Sequence, residues 1–66
     1  MLATEIKRAR LAAGLTQEQL AAKANVSREM VNYIERGKRQ PTVAIFVRLC
    51  KAMKQYPPDV LARAIK

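Results

Sequence analysis

Arg28, Glu29, Asn32, Tyr33 and Arg36 are spaced by one, three and four residues, so a helix drawn through them carries all five on one face. Their side chains are of the types that hydrogen-bond to base edges. An Arg bridges guanine O6 and N7, an Asn bridges adenine N6 and N7, and a Glu accepts from cytosine N4. A Tyr ring touches a thymine methyl or bonds a phosphate. The inert alternative is a solvated helix face with Glu29 near the positive end of the helix dipole. The elements that hold the five residues decide between the two.

From Thr16 to Gly37 the chain reads as two short helices broken by a tight turn, the pattern that seats one helix in a DNA groove. Thr16 opens the first of the two with a Thr-x-x-Gln capping box closed by Gln19. Leu20, Ala21 and Ala24 face inward, and Asn25 suits the left-handed turn that ends the helix. Ser27 caps the next helix, whose inward positions are Val26, Val31 and Ile34, and Gly37 stops it. Capping and core packing therefore leave the five outer residues free.

Three further helices flank this pair. One runs from about Ala3 to Ala13, with Leu2, Ile6, Ala9 and Ala13 on its apolar stripe, Gly14 in the left-handed stop and Leu15 folding back on its end. After the basic loop Lys38-Arg39-Gln40-Pro41, Thr42 caps a helix with Val43, Phe46, Leu49, Cys50 and Met53 as its core stripe. Tyr56-Pro57-Pro58 marks a boundary, and Pro58-Asp59 opens a last helix reaching about Ile65. The expected fold is all-α, a single five-helix domain over residues 1–66.

The composition sets bounds on function. Thirteen Lys and Arg stand against five Asp and Glu, a net charge of +8 that suits a polyanion, either nucleic acid or an anionic membrane surface. A membrane-surface peptide would gather its basic residues on one long amphipathic helix, whereas here they are spread among short capped ones. No apolar run approaches the ~20 residues of a membrane span and no signal peptide leads the chain, which points to the cytoplasm. With no His and one Cys, neither an internal disulfide nor a well-provided metal site is expected. Ser27 has no His to activate it, the carboxylates are scattered, and the two glycines make no phosphate cradle. An enzyme is not expected, nor a cofactor. Cys50, between Phe46 and Met53 on an apolar stripe, reads as a small buried hydrophobe.

These residues together resemble the phage repressor/Cro-type, or XRE, family of helix-turn-helix proteins. The matching residues are Ile6 and Arg10, Gly14-Leu15-Thr16-Gln17, Leu20-Ala21, Val26-Ser27, Ile34-Glu35-Arg36-Gly37 and Pro41-Thr42. The resemblance runs from about Ile6 to Met53. It implies a five-helix domain of the lambda-repressor-like type, with the helix-turn-helix as helices 2 and 3, bound as a homodimer to double-stranded DNA with two half-sites. It also implies that Gln17 bonds a backbone phosphate while Arg28, Glu29 and Tyr33, with Asn32, read bases. The physics agrees at Gln17, because a helix N-terminus attracts phosphate. Ser27, Arg36, Lys38 and Arg39 are expected at the DNA backbone, supplying salt-dependent affinity. Lys7, Arg8, Arg48 and Lys51 read as solvated.

Arg10 and Glu35 are assigned to structure. Each lies four residues after an apolar residue of an inner stripe, Ile6 and Val31, so the facing stripes predict a partly buried ion pair; such a pair is common in the family. Ile45, Val47 and Val60 fall outside the core stripes near the Tyr56-Pro57 bend, and with those two residues they make a candidate dimer patch. The family often ends its fourth helix with Gly, where this chain reads Lys54-Gln55. The leading expectation is a sequence-specific transcriptional repressor. An antitoxin, a restriction-system controller, or a protein-interaction module on the same fold are the alternatives.

Overall fold

In the computed structural model, which describes residues 2–64, backbone hydrogen bonds close five helices: α1 (Leu2–Ala12), α2 (Gln17–Ala24), α3 (Arg28–Glu35), α4 (Val43–Ala52) and α5 (Pro57–Ala64). The start signals act as their chemistry dictates. Thr16 Oγ1 accepts from Gln19 N at 3.0 Å while Gln19 Oε1 accepts from Thr16 N at 2.9 Å, which completes the capping box. Ser27 and Thr42 each accept the amide three residues on, from Met30 at 3.0 Å and Ile45 at 3.1 Å.

The stops share one device. Gly14 (φ +72°), Asn25 (φ +57°), Gly37 (φ +72°) and Lys54 (φ +57°) are the left-handed residues that follow α1 to α4. In each case the next amide reaches back five residues: Leu15 to Arg10, Val26 to Ala21, Lys38 to Tyr33 and Gln55 to Cys50. Lys54 is the costly one, because its Cβ crowds the backbone in this region. It holds the place where the family often has Gly.

α2 packs on α3 and α4, α1 on α5 and α3, and α4 on α5. Between them lie Ile6, Leu20, Val31, Ile34, Leu49, Cys50, Met53 and Val60, all essentially inaccessible, with Ala9, Ala21, Ala24 and Phe46 at the margin. The small buried residues of α2, Ala21 and Ala24, let α3 and α4 pack closely on it.

Several expectations are corrected. Ala13 lies beyond α1 and is exposed, because the chain has already turned into the Gly14 stop. Val43 is 81% exposed: it is the first residue of α4, before that helix meets the core. Val60 is fully buried, because α5 lays it against α1 and α4 within the same chain, so it cannot serve a dimer patch. Ile45 packs partly on the core as well. The last helix starts at Pro57, whose missing N–H suits a first helical position, and Ile65 lies outside the described residues.

Candidate nucleic-acid interface

α3 has two faces of opposite character. Val31 and Ile34 bury against α2 and α1, with Met30 half-buried beside them. The other side carries Arg28, Glu29, Tyr33 and Arg36, all exposed, and the half-buried Asn32. These five line one shallow depression on the surface. Arg28 also borders a second hollow shared with Gln17, Glu18 and Gln19 at the start of α2. The base-reading candidates are thus brought together, and Arg28 joins them to the α2 N-terminus.

Around this face lie the backbone candidates. Lys38 and Arg39 are exposed in the loop that follows the Gly37 stop. Four cations, Arg28, Arg36, Lys38 and Arg39, therefore stand on or beside α3 against one exposed carboxylate of that helix, Glu29. At the start of α2 the capping box takes up the Gln19 amide and leaves those of Gln17 and Glu18 without an intrahelical partner. Ser27 Oγ accepts from Met30 N, and its hydroxyl proton is left to donate outward.

Gln17 and Asn32 are placed differently from the free side chains that the sequence suggests. Asn32 Nδ2 donates to Gln17 Oε1 at 3.2 Å, and Gln17 Nε2 donates to Glu35 Oε1 at 3.2 Å. Glu35 follows Asn32 by three residues on α3 and is the residue of that helix that turns toward α1. There Arg10 Nε meets Glu35 Oε2 at 2.7 Å and Arg10 Nη2 meets Oε1 at 3.0 Å, with the two side chains 9% and 3% exposed. Arg10 Nη1 also donates to the Leu15 carbonyl at 2.8 Å, holding the turn between α1 and α2. The fork of the guanidinium matches the carboxylate and leaves none of its buried polar atoms unpaired among the described residues.

Two more charges prove structural. Arg48 donates to the carbonyls of Ala24 and Asn25, which caps the C-terminus of α2 from α4. Glu5 is buried and pairs with Arg8 at 3.2 Å and Arg63 at 3.4 Å, tying α5 to α1. Neither role was visible in sequence, since each partner lies on a distant element; the i, i+3 spacing of Glu5 and Arg8 was the one local sign. Cys50 is buried in the core, and burial pushes its thiol above the ordinary value despite the nearby Arg63 charge.

The Helix-turn-helix family model matches residues 6–61. The chain belongs to the XRE-type helix-turn-helix family. An HTH-type transcriptional regulator of Archaeoglobus fulgidus is 34% identical over 57 residues, covering 86% of this chain and 81% of that protein. Another, y4dJ of Sinorhizobium fredii, is 34% identical over 53 residues, covering 80% of this chain and 69% of the relative. Among solved structures, the restriction-modification controller protein C.AhdI of Aeromonas hydrophila superposes with a TM-score of 0.86 at 29% identity, over 89% of each chain. The clp gene regulator ClgR of C. glutamicum gives 0.91 at 26% identity, over 97% of this chain and 83% of the other. α2 and α3 form the helix-turn-helix. No helix among the described residues is long and apolar enough to cross a membrane.

Proposed function

We propose that this DNA-binding regulator acts as a sequence-specific repressor, placing α3 in the major groove of an operator and excluding polymerase from it. The observation that carries this reading is the outer face of α3, where Arg28, Glu29, Asn32, Tyr33 and Arg36 line one depression on a rigid helix flanked by a basic loop. Arg28, Glu29, Asn32 and Tyr33 read base edges. Gln17 with the first amides of α2, Ser27, Arg36, Lys38 and Arg39 hold the phosphates on either side and set the register.

The reading includes a homodimer on two half-sites, which the size of the domain supports. The domain spans 28 Å at its longest, less than the ~34 Å that separates half-sites one turn apart, so one copy fills one half-site. With Val60 buried, the exposed Tyr56 and Leu61 and the half-buried Val47 are the described apolar side chains assigned to the patch. A second setting, control of a restriction-modification system, is favoured by the backbone likeness to controllers of that kind.

Selection of bound fragments from random duplex DNA, followed by titrations at several salt concentrations, tests the reading. A two-half-site motif is expected. Arg28→Ala should relax one position of it, while Lys38→Ala should weaken all sequences alike and reduce the salt slope by about one. Failure to enrich any motif would refute sequence-specific binding and favour a protein-interaction role. Sedimentation of the protein with its operator checks the dimer: a strictly monomeric chain on DNA would defeat it.

A further inference from the structure

A carboxylate accepts hydrogen bonds and donates none, so a carboxamide beside it has one acceptable orientation. Glu35 Oε1 takes Gln17 Nε2 at 3.2 Å while both Glu35 oxygens are held by Arg10. Gln17 must therefore turn its oxygen the other way, and that oxygen meets Asn32 at 3.2 Å. An oxygen accepts only from the amide nitrogen of Asn32, so Asn32 is fixed in its turn. Its Oδ1 and its second Nδ2 proton are left for the groove. The buried Arg10–Glu35 pair is rigid, because its side chains are almost wholly excluded from water and its fork is filled.

We propose that the Arg10–Glu35 pair, acting through Gln17, dictates which way round Asn32 offers its acceptor and donor to a base, so that Gln17 is a positioning residue for sequence specificity. The inference rests on the DNA-reading function above and adds to it a part for the fold's interior. Its chemistry is simple. An Asn that reads adenine needs oxygen toward N6 and nitrogen toward N7. An amide turned over sets donor against donor and acceptor against acceptor. Unheld, the two orientations have the same shape and differ little in energy on a solvated face, so a free Asn discriminates poorly. The same bonds leave Gln17 one Nε2 proton for a phosphate, which makes phosphate capture and Asn32 orientation properties of one side chain.

The test compares the wild-type protein with Gln17→Met, Asn32→Ala and the double variant, each checked for helix content. The DNA is the selected operator and its variants at every position of one half-site. Asn32→Ala identifies the base pair that Asn32 reads by abolishing a preference of about tenfold or more there. Gln17→Met should reduce that same preference to about threefold or less while leaving the position read by Arg28 within about twofold. Adding Gln17→Met to Asn32→Ala should change no preference further. Loss of a phosphate contact weakens all sequences alike and so does not enter these ratios. A Gln17→Met protein that binds more weakly but keeps the full Asn32-dependent preference overturns the proposal, as does an Asn32→Ala protein with every preference intact.

A second measurement needs no DNA. Asn32→Asp sets a carboxylate against Gln17 Oε1, and Gln17 cannot turn over without facing Glu35 with oxygen. The thermal midpoint should fall by about 4–8 °C, the shift given by one broken hydrogen bond in so small a domain. In the Gln17→Met background the same substitution should cost nothing, since Arg28 and Arg36 flank the new charge one turn away on either side. Should selection enrich no motif, the DNA-reading function fails, and this stability cycle separately decides whether the relay exists. Equal midpoints for Asn32→Asp and wild type would overturn the relay whatever the DNA result.

Discussion

Removing the Arg10 side chain tests the energetic centre of the fold. Arg10→Ala deletes two hydrogen bonds to Glu35 and one to the Leu15 carbonyl. What remains is a carboxylate whose side chain is 3% exposed in the intact protein, with Gln17 Nε2 as its one hydrogen-bond donor. Stranding a buried charge in this way costs about 3–5 kcal/mol. At 0.05–0.15 kcal/mol per residue, a chain of this length has roughly 3–10 kcal/mol of stability in all, so the loss removes from about a third to all of it and the thermal midpoint should fall sharply. The informative arm is the apolar double replacement Arg10→Met with Glu35→Leu. It buries no charge, and such exchanges are often neutral or better. The Leu15 carbonyl still loses its donor, so about 1–3 kcal/mol of the loss should persist. Thermal and urea unfolding followed by circular dichroism measure all three proteins. A single variant that melts with the wild type, or a double variant no better than the single, would refute the claim that Arg10 is needed because Glu35 is buried.

Further outcomes follow from the turns and the core. Lys54→Gly relieves the one left-handed lysine and should raise stability by about 0.5–1 kcal/mol, read as a higher thermal midpoint; a lower midpoint would show that its side chain has contacts worth more than the strain. Arg48→Met removes both donors to the C-terminus of α2 and should cost about 1–2 kcal/mol in urea unfolding without altering base preferences in the selection assay. Cys50 should resist alkylation at neutral pH and react at a rate set by unfolding, because it is buried and its thiol is held protonated. The folded thiol has the raised pKa, so this contribution to stability is complete below the unfolded thiol's pKa and is lost as pH rises through the folded one.

What the sequence makes legible is what short range decides. The Thr16–Gln19 box, the Ser27 and Thr42 caps and the left-handed stops at Gly14, Asn25 and Gly37 each close within three to five residues, so residue type and spacing carry them. Helical period likewise separates Val31 and Ile34 from the outer face of α3. Long range decides the rest. Val43 and Val60 are both apolar residues near helix starts, yet one is 81% exposed and the other buried. Nothing in their own neighbourhoods tells them apart; the difference is that α5 lies across α1 and α4. Glu5 and Arg48 look like solvated charges until Arg63 and the end of α2 arrive beside them.

The candidate site divides in the same way, and the division bears on mechanism. That Arg28, Glu29, Tyr33 and Arg36 share a surface is a matter of helical spacing. That Asn32 is held by Gln17 is not, because 15 residues and the turn between α2 and α3 separate them. The bond exists because α2 and α3 pack together, with Ala21 and Ala24 buried in α2, and because Glu35 is anchored on α1 by Arg10. A polar face that appears independent of the core is thus connected to it at one point. Substitutions at Arg28 or Tyr33 should change base preference without changing stability. Those at Gln17 and Asn32 should change both, and Glu35 joins the two effects, since its carboxylate fixes the fold on one side and the polarity of the relay on the other.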